Sequence, residues 1–225
     1  MIEELKATPL YRLQSYSFPH SVFVNDENLI ELPTIEIYWK QRKGKSDLLF
    51  LAGDIQPIDE EASYEFCDYV LDFCRRVGVK EIITIGGIGL PAVPEKPKVY
   101  CTANSKAIMK RYRKGTRLQE RLHGVVGPII GVTGLMVGLA TERKIEAICL
   151  LAETYGHPMY LGVKGSHEVL RVLEKQLGIK LNLRALDREI AEVETELLKQ
   201  AQQIPVPRKG HPPPPLGGRE TSYIG

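Results

Sequence analysis

The sequence predicts an α/β fold: a three-layer α/β/α sandwich with a mostly parallel central sheet, followed by a C-terminal helix and a disordered tail. Two patterns predict the body. Short apolar runs alternate along the chain with segments of helical period, the arrangement that produces parallel pairing with helices on both faces. The runs 48–52, 82–85 and 147–151 are continuously apolar rather than alternating, as central strands covered on both sides must be. A third observation predicts the tail, because the composition changes abruptly after Gln203.

Taken in order, 21–24 and 34–39 read as strands, and 47–52 reads as a buried strand ended by Gly53-Asp54. Segment 60–77 reads as a helix. Tyr64, Cys67, Val70, Leu71, Cys74 and Val77 recur at helical spacing, and Gly78 stands where a helix stops. Strand 80–85 follows, closed by Gly86-Gly87. Segment 105–112 reads as a helix capped by Asn104 or Ser105. Segment 125–131 begins as strand and 135–141 continues as helix. After strand 147–152 comes helix 166–177, with Ser166 as N-cap and Gly178 as C-cap. These elements form one expected domain, 1–182.

The next expected unit, 183–203, is an amphipathic helix. Leu183, Leu186, Ile190, Val193 and Leu197 step by 3, 4, 3 and 4, an a/d seam of two heptads. Such a helix packs either on its own domain or at a subunit interface. The unit 204–225 is an expected flexible tail. Six prolines and three glycines between 204 and 218 leave no pattern that could offset the entropy of ordering. Extended proline-rich chain advances about 3.1 Å per residue, so this tail reaches on the order of 60 Å. It ends Tyr223-Ile224-Gly225. An aromatic anchor on a long tether suits a partner, and a solubilising appendage is the competing reading.

Composition narrows the function. The chain has 225 residues, 43% apolar and 26% charged, with a net charge of +2. That is ordinary globular composition, too near neutral to point to nucleic acid or an anionic membrane. Glu3 and Glu4 stand where a secretory signal would be basic and then apolar, and the longest apolar run, around 125–140, is broken by glycines, Pro128 and Thr133. A soluble protein of the cytoplasm is expected. Cys67, Cys74, Cys101 and Cys149 contain no C-x-x-C pair and fit no zinc spacing, so they read as buried small hydrophobes.

The chemistry-bearing groups are scattered. Gly86-Gly87-Ile88-Gly89 follows a strand, but it lacks the phosphate-loop pattern, and Pro91 and Pro94 block a helix directly after it. Glycines 131, 134 and 138 allow either close backbone packing or a ligand-binding turn. Asp54, Glu153 and His157 lie near expected strand ends, where a doubly wound sheet binds ligands, yet no nucleophile elbow or metal triad accompanies them. No cofactor, no metal and no catalytic residue is expected. Asp54 and Glu153 are expected to accept hydrogen bonds from glycine-turn amides. Lys106, Lys110, Arg111, Arg113, Lys114, Arg117 and Arg121 form a basic cluster. It reads as a solvated helix face, then as a dock for an acidic protein surface, and last as a nucleic-acid contact.

An ordered set of segments resembles the proteasome assembly chaperone family in its archaeal form. The set is Phe18-Pro19 with Val22-Phe23-Val24, then Leu32-Pro33-Thr34-Ile35-Glu36-Ile37-Tyr38, Gly53-Asp54-Ile55-Gln56-Pro57 and Ile82-Ile83-Thr84-Ile85-Gly86-Gly87. Gly131-Val132-Thr133-Gly134-Leu135, Cys149-Leu150-Leu151-Ala152-Glu153-Thr154 with Gly156, and the helix 169–178 complete it. The resemblance covers residues 2–185. It implies an α/β/α body, a homo-oligomer, no catalysis, and a part in building or engaging the 20S proteasome core particle. The implied partners are proteasome α subunits or the core particle, and a related assembly factor. The implied contact residues are Tyr223, Ile224 and Gly225. A nucleoside-phosphorylase-like enzyme or a small-molecule-binding α/β protein is the alternative.

Two departures from the family pattern stand out. Members begin with a strand and a G-x-G-x-x-G turn leading into a first helix, whereas residues 1–7 resemble the end of that helix. The expectation is a start at an internal methionine and a sheet with a gap or an open edge. Proteasome-engaging tails end in hydrophobic–Tyr–any residue, whereas Tyr223 is third from the end.

Overall fold

The strands β1 (Thr8–Leu13), β2 (Phe23–Val24), β3 (Ile30–Glu31), β4 (Ile35–Lys40) and β5 (Leu48–Gly53) come first. Helix α1 (Glu60–Arg76), strands β6 (Glu81–Leu90) and β7 (Val99–Ala103), and helices α2 (Lys106–Arg113) and α3 (Val132–Ala140) follow. Strand β8 (Glu146–Tyr155) and helix α4 (Val163–Leu177) close the series. The computed structural model describes residues 1–183 apart from 120, 121, 123, 125, 158, 159 and 161. The expected units 183–203 and 204–225 lie outside the described residues, Leu183 excepted.

Strand β8 organises the body. Its alternate residues enter two separate cores, which is why its sequence is apolar without alternation. Ala147, Cys149 and Leu151 face Cys67, Val70 and Leu71 of α1 and Met136, Val137 and Ala140 of α3. Ile148, Leu150 and Ala152 face Ile108 and Tyr112 of α2 and Val169, Val172 and Leu173 of α4. This sheet therefore carries helices on both faces. Its order is β6-β8-β7.

The mixed α/β class stands, but the mostly parallel sheet does not. Only β6 and β8 pair in parallel, from Glu81↔Glu146 to Leu90↔Tyr155. β7 pairs β8 antiparallel. β5 is not a neighbour of β6; it pairs β4 antiparallel, with Ile37↔Leu51 at the centre. The reason is the connection 41–47, too short for the crossover of a dozen or more residues that parallel strands need. β1 joins β4 antiparallel, with an irregularity between Pro9 and Tyr11, to give the order β1-β4-β5. β2 and β3 form a hairpin of their own. Among the described residues β5 and β6 each have one strand neighbour, so each presents an open edge. β5 is also less covered than its sequence suggests, with Leu51 40% exposed.

The β1-β4-β5 sheet is tied to the other at both ends of β5. Beyond its last residue, the Gln56 side chain lies against Gly131 at the head of α3. In the loop before it, Arg42 donates to Leu177 O at 2.6 Å and Lys45 to Gly178 O at 2.9 Å, at the end of α4.

Local chemistry sets most helix ends. The Asp59 carboxylate accepts from Ala62 N and opens α1, and Gly78, at φ 77°, follows its end. Ser105 caps α2, while Asn104 clamps β8, donating to Ile145 O and accepting from Ala147 N. α4 starts three residues before the expected Ser166. Its cap is Gly162, and the Ser166 hydroxyl donates back to Gly162 O within the first turn. Gly178 ends it as expected, at φ 58°. The expected strand 125–131 is absent as a strand among the described residues, and α3 begins at Val132 instead.

The glycine runs also resolve. Gly86, Gly87 and Gly89 lie inside β6, which runs on to Leu90 instead of turning at Gly86-Gly87. In α3, a Cβ on Gly134 would stand 2.7 Å from Ile129 Cγ2 and 2.8 Å from Ile129 O, so this position is set by close packing. A Cβ on Gly138 would meet nothing within 4 Å.

Cys67, Cys101 and Cys149 are buried and Cys74 is half-buried, all as free thiols. Burial pushes Cys67 up to about 12 and Cys74 and Cys149 up to about 11 from an ordinary 9.0.

Two measurements follow from this packing. In urea unfolding, Gly138→Ala is expected to stabilise by about 1 kcal/mol, the helix-propensity difference. Gly134→Ala is expected to destabilise by about 1–3 kcal/mol, because the overpacked neighbour is partly backbone. For the thiols, the pKa values are raised in the folded state, so their contribution is complete below pH 9 and is lost as pH rises toward 12. Denaturation midpoints should fall across that window, less so in Cys67→Val. A thiol reagent at pH 8 should label the folded chain far more slowly than the unfolded one.

Candidate partner-binding surface

The candidate strand-end acids are engaged in structural hydrogen bonds, though not the ones expected. Asp54 Oδ2 accepts from Thr34 N at 2.8 Å and from Thr34 Oγ1 at 3.0 Å, joining the starts of β4 and the loop after β5. Glu153 accepts from Lys98 N at 2.9 Å and Tyr100 OH at 3.2 Å, and so fixes the start of β7 on β8. Backbone and side-chain groups of Thr34, Lys98 and Tyr100, not glycine-turn amides, are the donors. His157 stacks on Tyr155 at 5.5 Å and 11°. Asp54 and Glu153 therefore sit on different sheets with different partners. Among the described residues no group of three or more His, Cys, Asp or Glu side chains could hold a metal ion.

The basic cluster divides by role. Ile108 and Tyr112 turn the inner face of α2 into the core. Arg111 bridges Glu81 and Glu146, which stand side by side at the start of the parallel pair and would otherwise repel. Lys106, Lys110, Lys114 and Arg117 are exposed. Arg121 lies outside the described residues.

A concavity lies where the sequence showed no site, between the paired strands β1 and β4 and helix α1. It has a volume of about 720 Å³. Tyr11, Phe18, Phe66, Tyr69, Phe73 and Val77 line it, with Arg12 and Arg76 among its polar groups. Phe73 meets Tyr11 edge-on at 5.5 Å, and Phe66 meets Phe18 at 6.1 Å. The signal was present in α1 as a second apolar stripe, Phe66-Tyr69-Phe73, beside the stripe that faces β8. What it faces depends on β1, an exposed strand containing Pro9 that the sequence pattern did not show.

The α1 wall is held by a charged clamp. Arg143, just past α3, donates from Nε to Asp72 at 2.9 Å and from an NH2 group to Asp68 at 2.8 Å. Its side chain is only 14% exposed. The hydrogen bond from Arg143 holds the Asp72 carboxyl below its ordinary value of 3.8.

The contact residues expected from the sequence are only touched here. Leu183 is half-buried at the end of the described chain. Leu186, Ile190, Val193, Leu197, Tyr223, Ile224 and Gly225 lie outside the described residues.

A sheet with helices on both faces and strand-end acids tied into the scaffold defines the body of a mixed α/β protein. The model of the PAC2 family matches residues 1–201, and the chain belongs to that family. The protein MJ1210 of Methanocaldococcus jannaschii is 27% identical over 215 residues, 91% of this chain and 81% of that one. The crystal structure of Pyrococcus furiosus PbaB, described as an archaeal proteasome activator, superposes with a TM-score of 0.78 at 30% identity, covering 90% of this chain and 85% of that one. Pyrococcus furiosus PbaA, described as an archaeal homolog of proteasome-assembly chaperone, gives 0.71 at 19% identity over 89% and 79%, and at that identity shares the fold. The resemblance carried by the ordered segments thus holds, and it ties the chain to a family with proteasome-related members.

The clamp yields a pH test. The Asp72 contribution is present above its unfolded value and is lost as pH falls through the lower folded value. Arg143→Met is expected to lower the thermal midpoint at neutral pH. The gap from the parent chain should narrow as pH drops below 3.8. A gap that stays constant into acid would show that Arg143 acts by packing alone.

Proposed function

We propose that this chain is a non-enzymatic factor of the cytoplasm that assists assembly of, or engages, the 20S proteasome core particle. Membership of the PAC2 family, with 30% identity to an archaeal proteasome activator over 90% of the chain, carries this reading. The division of labour follows from the sequence. An oligomeric α/β body presents the surface, with the seam Leu183, Leu186, Ile190, Val193 and Leu197 at its interface. The proline-rich tail carries Tyr223, Ile224 and Gly225 to a proteasome α subunit. A tether of this kind raises the local concentration of a weak anchor without a large rigid interface.

The enzyme alternative has less support. A nucleoside-phosphorylase-like site needs a phosphate cradle, and the glycines best placed to form one, Gly86, Gly87 and Gly89, are paired inside β6. Asp54 and Glu153 have scaffold partners instead of each other. Among the described residues no helix is long and apolar enough to cross a membrane.

The deciding experiment is a pull-down of proteasome α subunits with the full chain, a chain ending at Gln203, and Tyr223→Ala. Both variants are expected to keep the parent's oligomeric state and to lose most of the captured α subunit. Equal capture by all three would move the contact to the body. No capture by the full chain would remove the proteasome role.

A further inference from the structure

The most exposed apolar element of the described chain is the β2–β3 hairpin. Its register pairs Phe23 with Glu31 and Val24 with Ile30. Directly paired residues share a face, so Val24 and Ile30 project together, and strand alternation carries that face on to Val22 and Leu32. Val24, Ile30 and Leu32 are 65%, 72% and 66% exposed. A two-stranded hairpin is barely stable in water by itself, so an element this short with an apolar face calls for a covering surface.

The hairpin is nevertheless shaped in advance. Asn25 Oδ1 accepts from Glu27 N at 3.0 Å and Leu29 N at 2.9 Å, and Asn25 Nδ2 donates to Glu31 at 2.7 Å. Little ordering remains to be done on binding.

A receiving surface exists on the same molecule. The cavity between β1 and α1 has aromatic walls with polar groups among them and a volume of about 720 Å³, within the range of sites that bury a ligand. Charge matches as well. Residues 22–32 carry Asp26, Glu27 and Glu31 and no Lys or Arg. The charged residues of the cavity lining are Arg12, Glu65 and Arg76; Arg12 is bound to Glu36 and the nearby Asp72 is held by Arg143, so the match rests on Arg76. Phe18, anchored on Phe66, is part of the wall, and the hairpin leaves the rim only a few residues later with its apolar face in water. A protrusion and a hollow at neighbouring points on one rim can be exchanged reciprocally by two copies, which closes the contact instead of propagating it.

We propose that the β2–β3 hairpin of one copy docks in the β1–α1 cavity of a second copy, so that the apolar face Val24–Ile30 meets Tyr69 and Phe73 and the acidic hairpin meets Arg76. This is a self-association surface separate from the 183–197 seam, and it does not depend on the proteasome role.

Complementation tests it, with the full chain and sedimentation velocity at micromolar concentration. Ile30→Asp spoils the hairpin and leaves the cavity; Tyr69→Arg blocks the cavity and leaves the hairpin. Each is expected to weaken self-association at least about tenfold, the factor that one well-buried aliphatic contact supplies. Mixing the two should restore a complex that neither forms alone, because one intact hairpin then meets one intact cavity. If either variant lost its circular-dichroism signature of folding, the exposed charge pair would decide instead. Arg76→Glu should weaken association, and mixing it with Glu27→Arg should restore it. Unchanged association in the single variants, failure of the mixture to recover, or a parent chain that stays monomeric would each overturn the proposal. So would evidence that the hairpin closes into its own cavity, seen as a monomer with intramolecular cross-links between residues 30 and 69.

Discussion

The body depends on β8 being buried on both faces. Ala147, Cys149 and Leu151 on one side and Ile148, Leu150 and Ala152 on the other leave no polar side in the middle of the strand. Such a strand is stable only if helices cover both surfaces, and the chain supplies α1 and α3 to one and α2 and α4 to the other. The remaining architecture serves this arrangement. Asn104 fixes the start of the strand, Glu153 ties its later part to β7, and Arg111 neutralises the two carboxylates that parallel pairing sets side by side.

Packing of α3 shows how close the first layer lies. Gly134 sits against the Ile129 backbone, and Thr133 lies over Gly86 of β6, where a side chain would collide with Leu151. Glycine in β6 therefore weakens the strand locally while letting the helix approach. Arg143 then locks α3 to α1 through Asp68 and Asp72. Helix α1, held in this way from behind, forms the far wall of the aromatic cavity.

The second sheet is looser. β1 is exposed along most of its length, β5 is half-covered, and β5 and β6 each leave an edge unpaired among the described residues. Open edges and exposed apolar side chains are features that proteins normally cover with further chain or with partners.

The sequence by itself determined the elements whose periodicity reports their own burial. The α1 stripe Cys67-Val70-Leu71-Cys74, the β8 run and the Gly178 stop were legible because each is written in local spacing and local backbone preference. The burial of the cysteines followed in the same way, and the family was legible from ordered segments along the chain. Only the tertiary structure decided strand direction and neighbours. A continuous apolar run looks the same in a parallel and an antiparallel pair, so 48–52 resembled 82–85 although β5 joins β4. Strands β1, β3 and β7 went unread because Pro9 or short length masked two of them and the proline-rich 91–98 stretch obscured the third. The aromatic cavity depended on that loss. Phe66, Tyr69 and Phe73 are a stripe on one helix in the sequence, but a hollow exists only because β1 and Phe18 stand opposite, and contacts between residues some fifty positions apart leave no local pattern to read.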